Sequence, residues 1–337
     1  MTSTTPTPES ARKWVSTLAK YREPNLGRSV FELAASFLPF LTLAVLAWLS
    51  LSVSYWLALA LSLFNGAFLV RLFIIQHDCG HGSFFGSRAV NNWVGRTIGM
   101  LTLTPYKVWK RSHSIHHSAA GNLDKRGIGD VYTLTVKEYA ALPLVKRAAY
   151  RVYRHPVFLF GFAPALLFMV QNRVPMGMFR SWEYWMSAMG TNAMIAIILG
   201  VMVWFGGLAP VFLIFLPTLL VAATIGVWLF YVQHQFENAQ WDYDEDWQLH
   251  EAALMGSSYY VLPGVLRWFS GNIGVHHVHH LYSRIPFYRL MEVLRENTAL
   301  ENLNRMTIKQ SLKSAQMHLW DEGTRKLVSF RQARQMA

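Results

Sequence analysis

The chain has 337 residues, of which 53% are hydrophobic and only 15% are charged, and it carries a formal net charge of +12 at pH 7. This composition is typical of a membrane protein and argues against one or two ordinary soluble domains. The basic residues are not interleaved with surface aromatic residues, so we expect an anionic membrane surface, and no nucleic acid, as the partner of this charge. The single cysteine, Cys79, excludes an intramolecular disulfide and a thiolate metal cage.

The polar and basic residues 1–28 predict a cytosolic N-terminal tail, of which the first ten residues are expected to be disordered. They contain no apolar run of the signal-peptide type. No lysine or arginine lies between Arg28 and Arg71, or between Arg180 and Arg267. Each of these gaps has room for two apolar helices of about 20 residues. The prediction is four membrane spans in two hairpins, at about 31–53, 57–75, 182–205 and 208–232.

The basic residues also predict the orientation. Apart from Arg71, they all lie before, between or after the two hairpins, and the far turns carry none. Because basic loops stay in the cytoplasm, both termini and the central segment are expected there, in an inner or plasma membrane protein. Arg71 is expected to extend its long side chain to the interface. Glu32 and Glu183, near predicted span ends, are expected to be interfacial.

The remaining segments are predicted to lie on the cytoplasmic side. After a mostly polar region, the apolar run 156–170 is short for a span and predicts an interfacial or re-entrant helix. Residues 29–295 are assigned to one membrane domain, and residues 296–337 to a cytosolic helical extension. Trp109 and Trp241 are expected to be interfacial anchors, whereas the acidic run 242–246 is given no role.

Nine of the thirteen histidines lie in three short runs, HDCGH at 77–81, HSIHH at 113–117 and HHVHH at 276–280. A spacing of three or four residues puts side chains on one face of a helix. Imidazole is a ligand of iron, zinc, copper and nickel. One such run could be a pair of exposed interfacial histidines, but three runs outside the apolar spans indicate metal binding. His277 points to a different helix face and is not expected to be a ligand.

The candidate ligands, which are also the predicted catalytic residues, are His77, His81, His113, His116, His117, His234, His276, His279 and His280. His234 is alone at the end of the fourth span, where an ionisable side chain is a functional candidate by default or simply interfacial. Asp78 is either an acceptor that fixes a histidine tautomer or a plain acid at a helix end. His155, His250 and His318 are not expected to bind metal.

Eight or nine imidazoles exceed the roughly four to six ligands of one ion, so the sequence implies two metal ions. Zinc is possible by ligand type. Two irons that activate dioxygen are more suitable for a histidine-rich site beside an apolar substrate phase. The chain has no Glu-x-x-His pair, which is the signature of soluble carboxylate di-iron bundles.

The histidine runs and their flanks resemble the three histidine boxes of the membrane-bound fatty acid desaturases. The matching segments are HDCGHGSFF, HSIHHSAAGNLDKRGIGD, YVQHQFE and GNIGVHHVHHLYSRIPFY, in the order of the family, over about residues 70–295. The resemblance implies an all-α fold with a four-helix membrane anchor and a cytosolic helical cap. It also implies two non-haem iron ions held by the boxes and His234, and the formation of a cis double bond in an acyl chain with O2 and two electrons.

Residues in and beside the third box indicate which desaturases of this family the chain resembles most. Asn272 and Gly274 resemble the flank of acyl-lipid desaturases of bacterial and plastid type. The third box begins with His276 instead of the glutamine common in front-end desaturases, and no His-Pro-Gly-Gly run marks a fused cytochrome domain. The resemblance therefore implies a separate electron donor, such as a ferredoxin or a cytochrome.

Two other functions are consistent with the same residues. A di-iron hydroxylase or ketolase acting on a lipid, carotenoid or alkane would use the same ligands and add oxygen to its substrate. A metal transporter or sensor would also need histidines, but transport requires polar residues across the middle of the spans. The predicted spans contain almost none.

Overall fold

The structure, a computed structural model, describes residues 8–336 and is mostly helical. The helices are α1 (Pro8–Leu18), α2 (Leu26–Ser50), α3 (Tyr55–His81), α4 (Arg88–Leu101), α5 (Tyr106–Ala119), α6 (Val136–Ala141), α7 (Leu144–Arg154), α8 (Phe158–Arg173), α9 (Trp182–Gly206), α10 (Val211–His234), α11 (Leu249–Met255), α12 (Gly264–Phe269), α13 (His276–Leu281), α14 (Leu290–Glu296), α15 (Thr298–Glu301), α16 (Ile308–Ser314) and α17 (Phe330–Met336). The strands are β1 (Leu134–Thr135), β2 (Tyr259–Val261), β3 (Arg305–Thr307), β4 (Leu319–Asp321) and β5 (Lys326–Val328).

Four helices, α2, α3, α9 and α10, are long and apolar enough to cross a membrane. Together with the clustered histidines described below, they confirm the predicted all-α membrane fold. α3 continues past the predicted end at residue 75, because the first histidine run is part of the helix. It ends where Gly82 adopts a left-handed conformation with a φ of 70°, which glycine permits without steric cost.

α3 lies at the centre of the membrane part. In its most apolar stretch 61% of the residues are buried, against 17%, 11% and 28% in α2, α9 and α10. α10 packs closely on it, because a Cβ atom on Gly66 would lie only 2.7 Å from Cγ1 of Val221. The Thr218 hydroxyl donates to the Ser62 carbonyl oxygen at 2.9 Å. α3 and α10, which both end in candidate ligands, are therefore fixed against each other.

Arg71 on α3 is buried instead of extending to the surface. Its side chain and that of Glu32 are each only 2% exposed, and the two form an ion pair. The guanidinium also donates to the Trp268 carbonyl oxygen and lies 3.8 Å from the centre of the indole ring. The expectations of an interfacial Arg71 and Glu32 are wrong, because a charge on this central helix needs a partner inside the protein. The contact joins α2, α3 and α12.

The central segment is bent. α7 and α8 meet at an angle of 58°, so the pair is either a broken span or a re-entrant loop. α8 extends the predicted apolar helix of residues 156–170 to Arg173. Its first turn lies against α10, where the Thr224 hydroxyl donates to the Phe160 carbonyl oxygen at 3.1 Å. Its last turn lies beside the loop before α5, where the Asn172 amide donates to the Leu103 carbonyl oxygen at 3.3 Å.

Both ends of the chain are more structured than expected. The predicted N-terminal tail contains α1, whose Ala11 and Leu18 are fully buried, and only residues 1–7 of it lie outside the described residues. The predicted helical extension, 296–337, contains three strands as well as helices. β3 pairs in parallel with β2, and β4 lies between β1 and β5. β3 and β4 pair with strands far away in the sequence, and β5 pairs with β4, so the local sequence pattern of these three-residue strands did not reveal them.

The buried ion pair gives a first testable prediction. Glu32→Ala leaves the Arg71 charge buried without its partner, so we expect a loss of about 3–5 kcal/mol in the free energy of unfolding, measured by denaturant titration in detergent. The double variant Glu32→Leu with Arg71→Met should recover most of this loss. Glu183→Ala is the matched control, since the Glu183–Lys107 pair is 54% and 40% exposed and should change stability by less than about 1 kcal/mol. Equal effects of Glu32→Ala and Glu183→Ala would contradict the prediction.

Candidate metal centre

All nine candidate histidines come together at the ends of four helices, α3, α5, α10 and α13, in two groups that could each hold a metal ion. Within each group the ligand nitrogens lie within 4.8 Å of one another. The five-histidine group consists of His77, His81, His113, His117 and His279. The four-histidine group consists of His116, His234, His276 and His280.

The second and third histidine runs are each divided between the two groups. His113 and His117 are one turn apart on α5 and belong to the five-histidine group, whereas His116 belongs to the four-histidine group. On α13, His279 joins the first group, and the second contains His276 and His280. Two helices thus supply ligands to both groups, which holds the groups next to each other.

The imidazole nitrogens converge in a way that suits metal ions. The Nε2 atom of His113 is 3.0 Å from that of His81 and 3.1 Å from that of His117. In the other group, Nε2 of His234 is 2.9 Å from that of His276 and 3.1 Å from that of His116. Two ligand atoms bound to one ion at about 2.1 Å and at right angles are about 3 Å apart. A neutral imidazole has only one N–H, so hydrogen bonds alone cannot satisfy so many converging nitrogens.

Several rings are oriented by a partner on their other nitrogen. Nδ1 of His77 lies 3.1 Å from Oδ1 of Asp78, whose Oδ2 accepts from the Phe287 backbone N–H at 2.7 Å. Nδ1 of His234 lies 3.2 Å from the Gly256 carbonyl oxygen. Such contacts fix the tautomer that turns Nε2 towards a metal. The contacts of Asp78 favour its interpretation as an acceptor over a plain acid at a helix end.

Asp130 is a site residue that the sequence did not reveal. Its Oδ1 contacts Nδ1 of His116, and its side chain is only 7% exposed. The other oxygen, Oδ2, is buried without a hydrogen-bond partner. Asp130 ends the turn-rich segment after the second histidine run, where an acid following glycines is an ordinary loop feature. Each histidine group therefore has one buried carboxylate, from Asp78 or Asp130.

Burial keeps five histidines of the two groups neutral. It lowers the pKa of His113, His117, His276, His279 and His280 well below the ordinary value of 6.5, and repulsion from neighbouring imidazoles lowers each further. The neutral imidazole is the form that binds metals. The site is therefore prepared for an ion at neutral pH.

The other histidines lie outside both groups. His277 is fully buried and its Nε2 lies 2.9 Å from the Leu300 carbonyl oxygen. Burial lowers its pKa to about 4, so it contacts the backbone as a neutral group. His155, His250 and His318 belong to neither group among the described residues. That these four histidines bind no metal stays a prediction.

Trp109 packs against the histidines and Trp241 is buried, so neither is the expected interfacial anchor. The Trp109 ring stacks on that of His113, with centroids 4.8 Å apart. It also covers Gly80, where a Cβ atom would lie 2.7 Å from the indole. Trp241 is only 4% exposed. In the acidic run, Asp244 forms an ion pair with Lys125 at 2.5 Å, which joins the run to the loop after the second histidine run. Asp242 forms an ion pair with Arg325 at 2.8 Å, which joins the run to the turn between β4 and β5.

A cavity of about 440 Å³ reaches the histidines, with His77, His113 and His276 among its lining residues. The rest of the lining is mostly apolar and comes mainly from α3, α5, α8 and α10, and it includes Asp130 in the loop after α5. This volume is in the range of sites for small ligands. The arrangement can bring an apolar molecule to metal ions held by the two groups.

The ligand assignment can be tested on α13. His279→Ala removes a member of the five-histidine group, so the metal bound per chain should fall by roughly half or more, measured by mass spectrometry of the purified protein. His277→Ala lies on the same helix and should keep the full metal content. The assignment is contradicted if both variants bind as much metal as the original chain.

Asp130 gives a second test. Asp130→Ala removes the acceptor of His116, so we expect metal affinity to fall by about 10–100-fold, the usual effect of losing an outer partner of a ligand. A competition titration with a chelator measures this change. Asp124→Ala is the matched control, because Asp124 is an exposed acid in the same loop. A loss of affinity no greater than that of the control would rule out this function for Asp130.

Comparison with known proteins identifies the family. The fatty acid desaturase family model matches residues 54–308. A fatty acid desaturase of Bacillus subtilis (strain 168) is 42% identical over 93% of this chain and 89% of its own length. An sn-1 acyl-lipid omega-3 desaturase (ferredoxin) of Synechocystis is 30% identical over 68% of this chain, and an sn-1 oleoyl-lipid 12-desaturase of Anabaena variabilis is 25% identical over the same share. The chain spans 64% and 65% of these last two relatives. The chain belongs to the fatty acid desaturase family.

Proposed function

We propose that this protein introduces a cis double bond into an acyl chain of a membrane lipid, using O2 and two electrons at a pair of iron ions. The proposal depends on one observation above all: two groups of converging imidazoles lie at the wall of a mostly apolar cavity. An alkyl chain has no polar group for an acid or base to act on. Its desaturation therefore needs an oxidant next to a channel that holds methylene groups.

The donor set supports iron as the metal. Nine imidazole ligands suit several divalent first-row ions, but zinc has no redox chemistry and would leave an oxidoreductase without an oxidant. Iron ions bound to these histidines would supply the redox chemistry that activates O2. The five-histidine group would hold one ion and the four-histidine group the other. Asp78 and Asp130 would keep the rings of His77 and His116 turned towards them.

The reaction sets what the protein must bind and exclude. One O2, two electrons and two protons take two hydrogens from adjacent methylenes and leave the double bond and two waters. Apolar side chains of the cavity would orient the chain and exclude other water. Two aromatic rings contact both the cavity and the ligands: Trp109 stacks on His113, and the Phe230 ring lies 5.0 Å from that of His116. These rings would hold the reacting carbons against the centre.

The relatives support a lipid-bound substrate and a separate electron donor. The Synechocystis protein is named as an acyl-lipid desaturase that uses ferredoxin. We extend both features to this chain, with a ferredoxin or a cytochrome as the donor. A net charge of +12 suits either an acidic carrier or anionic lipid head groups.

The active site and both termini are proposed to face the cytoplasm. The two span-connecting turns lie at the same end of the protein, since a Cβ atom on Gly206 would be 2.9 Å from the Trp48 ring. The histidines lie at the other ends of α3 and α10. Basic residues are absent from the turns and frequent on the histidine side, which agrees with the positive-inside rule.

Product analysis tests this function. The protein is expressed in a bacterial host that supplies iron and a reduced ferredoxin, and the membrane lipids are converted to fatty acid methyl esters for mass spectrometry. We expect a new ester two hydrogens lighter than its saturated parent. The His279→Ala variant, which lacks a proposed ligand, should give less than about 1% of this product. A product heavier by one oxygen would favour the hydroxylase alternative, and no new product would contradict both.

A further inference from the structure

The cavity beside the histidines has two chemically different ends. α8 runs along it, with its first turn against α10 and its last turn beside Leu103. Near the last turn the lining includes three polar side chains, those of Thr102, Gln171 and Asn172. Near the first turn and along α10 the lining is mostly apolar, and it includes Leu159, Ala163, Leu219, Ala222, Ala223 and Gly226, beside the Tyr153 ring. The ester carbonyl of a bound acyl chain would suit the polar end of the cavity, and the methyl end of the chain would suit the apolar end.

Gly226 lies in the middle of the face that α10 turns to the cavity. Ala222 and Phe230, one turn away on either side, line the same cavity. A Cβ atom on Gly226 would meet nothing within 4 Å, so the space in front of it is part of the cavity. Along the helix it is about 12 Å from His234, by the rise of 1.5 Å per residue. The position is thus well separated from the metal centre.

A glycine here has no local structural reason. Glycine within a helix costs about 1 kcal/mol relative to alanine, and no neighbour at this position requires the absence of a side chain. This distinguishes Gly226 from Gly66 on α3, where a Cβ atom would collide with Val221. What Gly226 provides is width inside the cavity, in the part that lies beyond the ligands.

We propose that Gly226 determines how long an acyl chain this enzyme accepts, by leaving a passage along α10 for the methyl end. The proposal rests on the function proposed above, because it assumes that the cavity holds the acyl chain. A side chain at residue 226 would fill the passage. A chain whose methyl end extends past residue 226 could then no longer place its reacting carbons at the metal centre. A shorter chain would still fit.

The test compares chain-length profiles. Cells that express the original chain, Gly226→Ala or Gly226→Leu receive saturated fatty acids of increasing length, and the conversion of each is measured from the methyl esters. Gly226→Leu should lower conversion of the longest accepted chain at least tenfold relative to the shortest, since methylenes that do not fit a pocket cost about 10–200-fold. Gly226→Ala should also lower the conversion of the longest chain relative to the shortest, but by a smaller factor. Gly200→Leu is the matched control, because Gly200 is exposed on α9 and also has open space at its Cβ.

The possible results separate this proposal from the proposed function. If the original chain desaturates and Gly226→Leu, at equal protein level and metal content, has an unchanged length profile, the function stands and the assignment of Gly226 is wrong. If both Gly226 variants lose the same fraction of conversion at every chain length, the assignment of Gly226 is also wrong. If Gly226→Leu does not accumulate in the membrane, the profile of Gly226→Ala decides. If the original chain converts no fatty acid, the proposed function fails and the assignment fails with it.

Discussion

The convergence of nine imidazoles in the protein interior is the constraint on which the rest of the structure depends. Their Nε2 atoms lie about as close as hydrogen-bonded atoms, for example 3.1 Å between His117 and His279. Because a neutral imidazole has only one N–H, these pairs cannot all be hydrogen-bonded at once. Protonation would only add repulsion between buried charges. Metal ions resolve the conflict, because each can accept several nitrogen lone pairs. We therefore expect folding of this region to depend on metal.

α3 connects this centre to the membrane part of the protein. The same helix is the most buried of the four candidate spans and ends in His77 and His81. It is held by the Glu32–Arg71 ion pair on one side and by close packing at Gly66 against α10 on another. Small shifts of α3 would move two ligands and one wall of the cavity together. The buried charge pair therefore joins two apolar helices, at the cost of removing both charges from water.

The sequence predicted the chemistry of the site better than its geometry. Imidazole spacing on helix faces selected eight histidines and set His277 apart, because helical periodicity is a local property. His234 was selected by its position at the end of a span. The division of the runs into two groups was not predictable, since it depends on how α5 and α13 are rotated against α3 and α10. Asp130 was missed for the same reason: only the folded loop brings it to His116.

The membrane helices show the same distinction between local and distant interactions. Gaps without basic residues located all four apolar helices, because lipid exposure leaves a clear local pattern. The burial of Arg71 was not visible, since its partner Glu32 is on a different helix. Strands β3, β4 and β5 were not predicted either. Each is only three residues long, β3 and β4 pair with distant segments, and β5 pairs only with its neighbour β4.

X-ray absorption spectroscopy at the iron edge, combined with a count of metal per chain, tests the central claim most directly. Protein purified from iron-supplied cells should contain about two iron ions per chain, with a nitrogen first shell and the multiple scattering of imidazole rings. A first shell dominated by oxygen, or a chain that takes up no redox-active metal, would contradict the assignment of the two histidine groups as an iron centre.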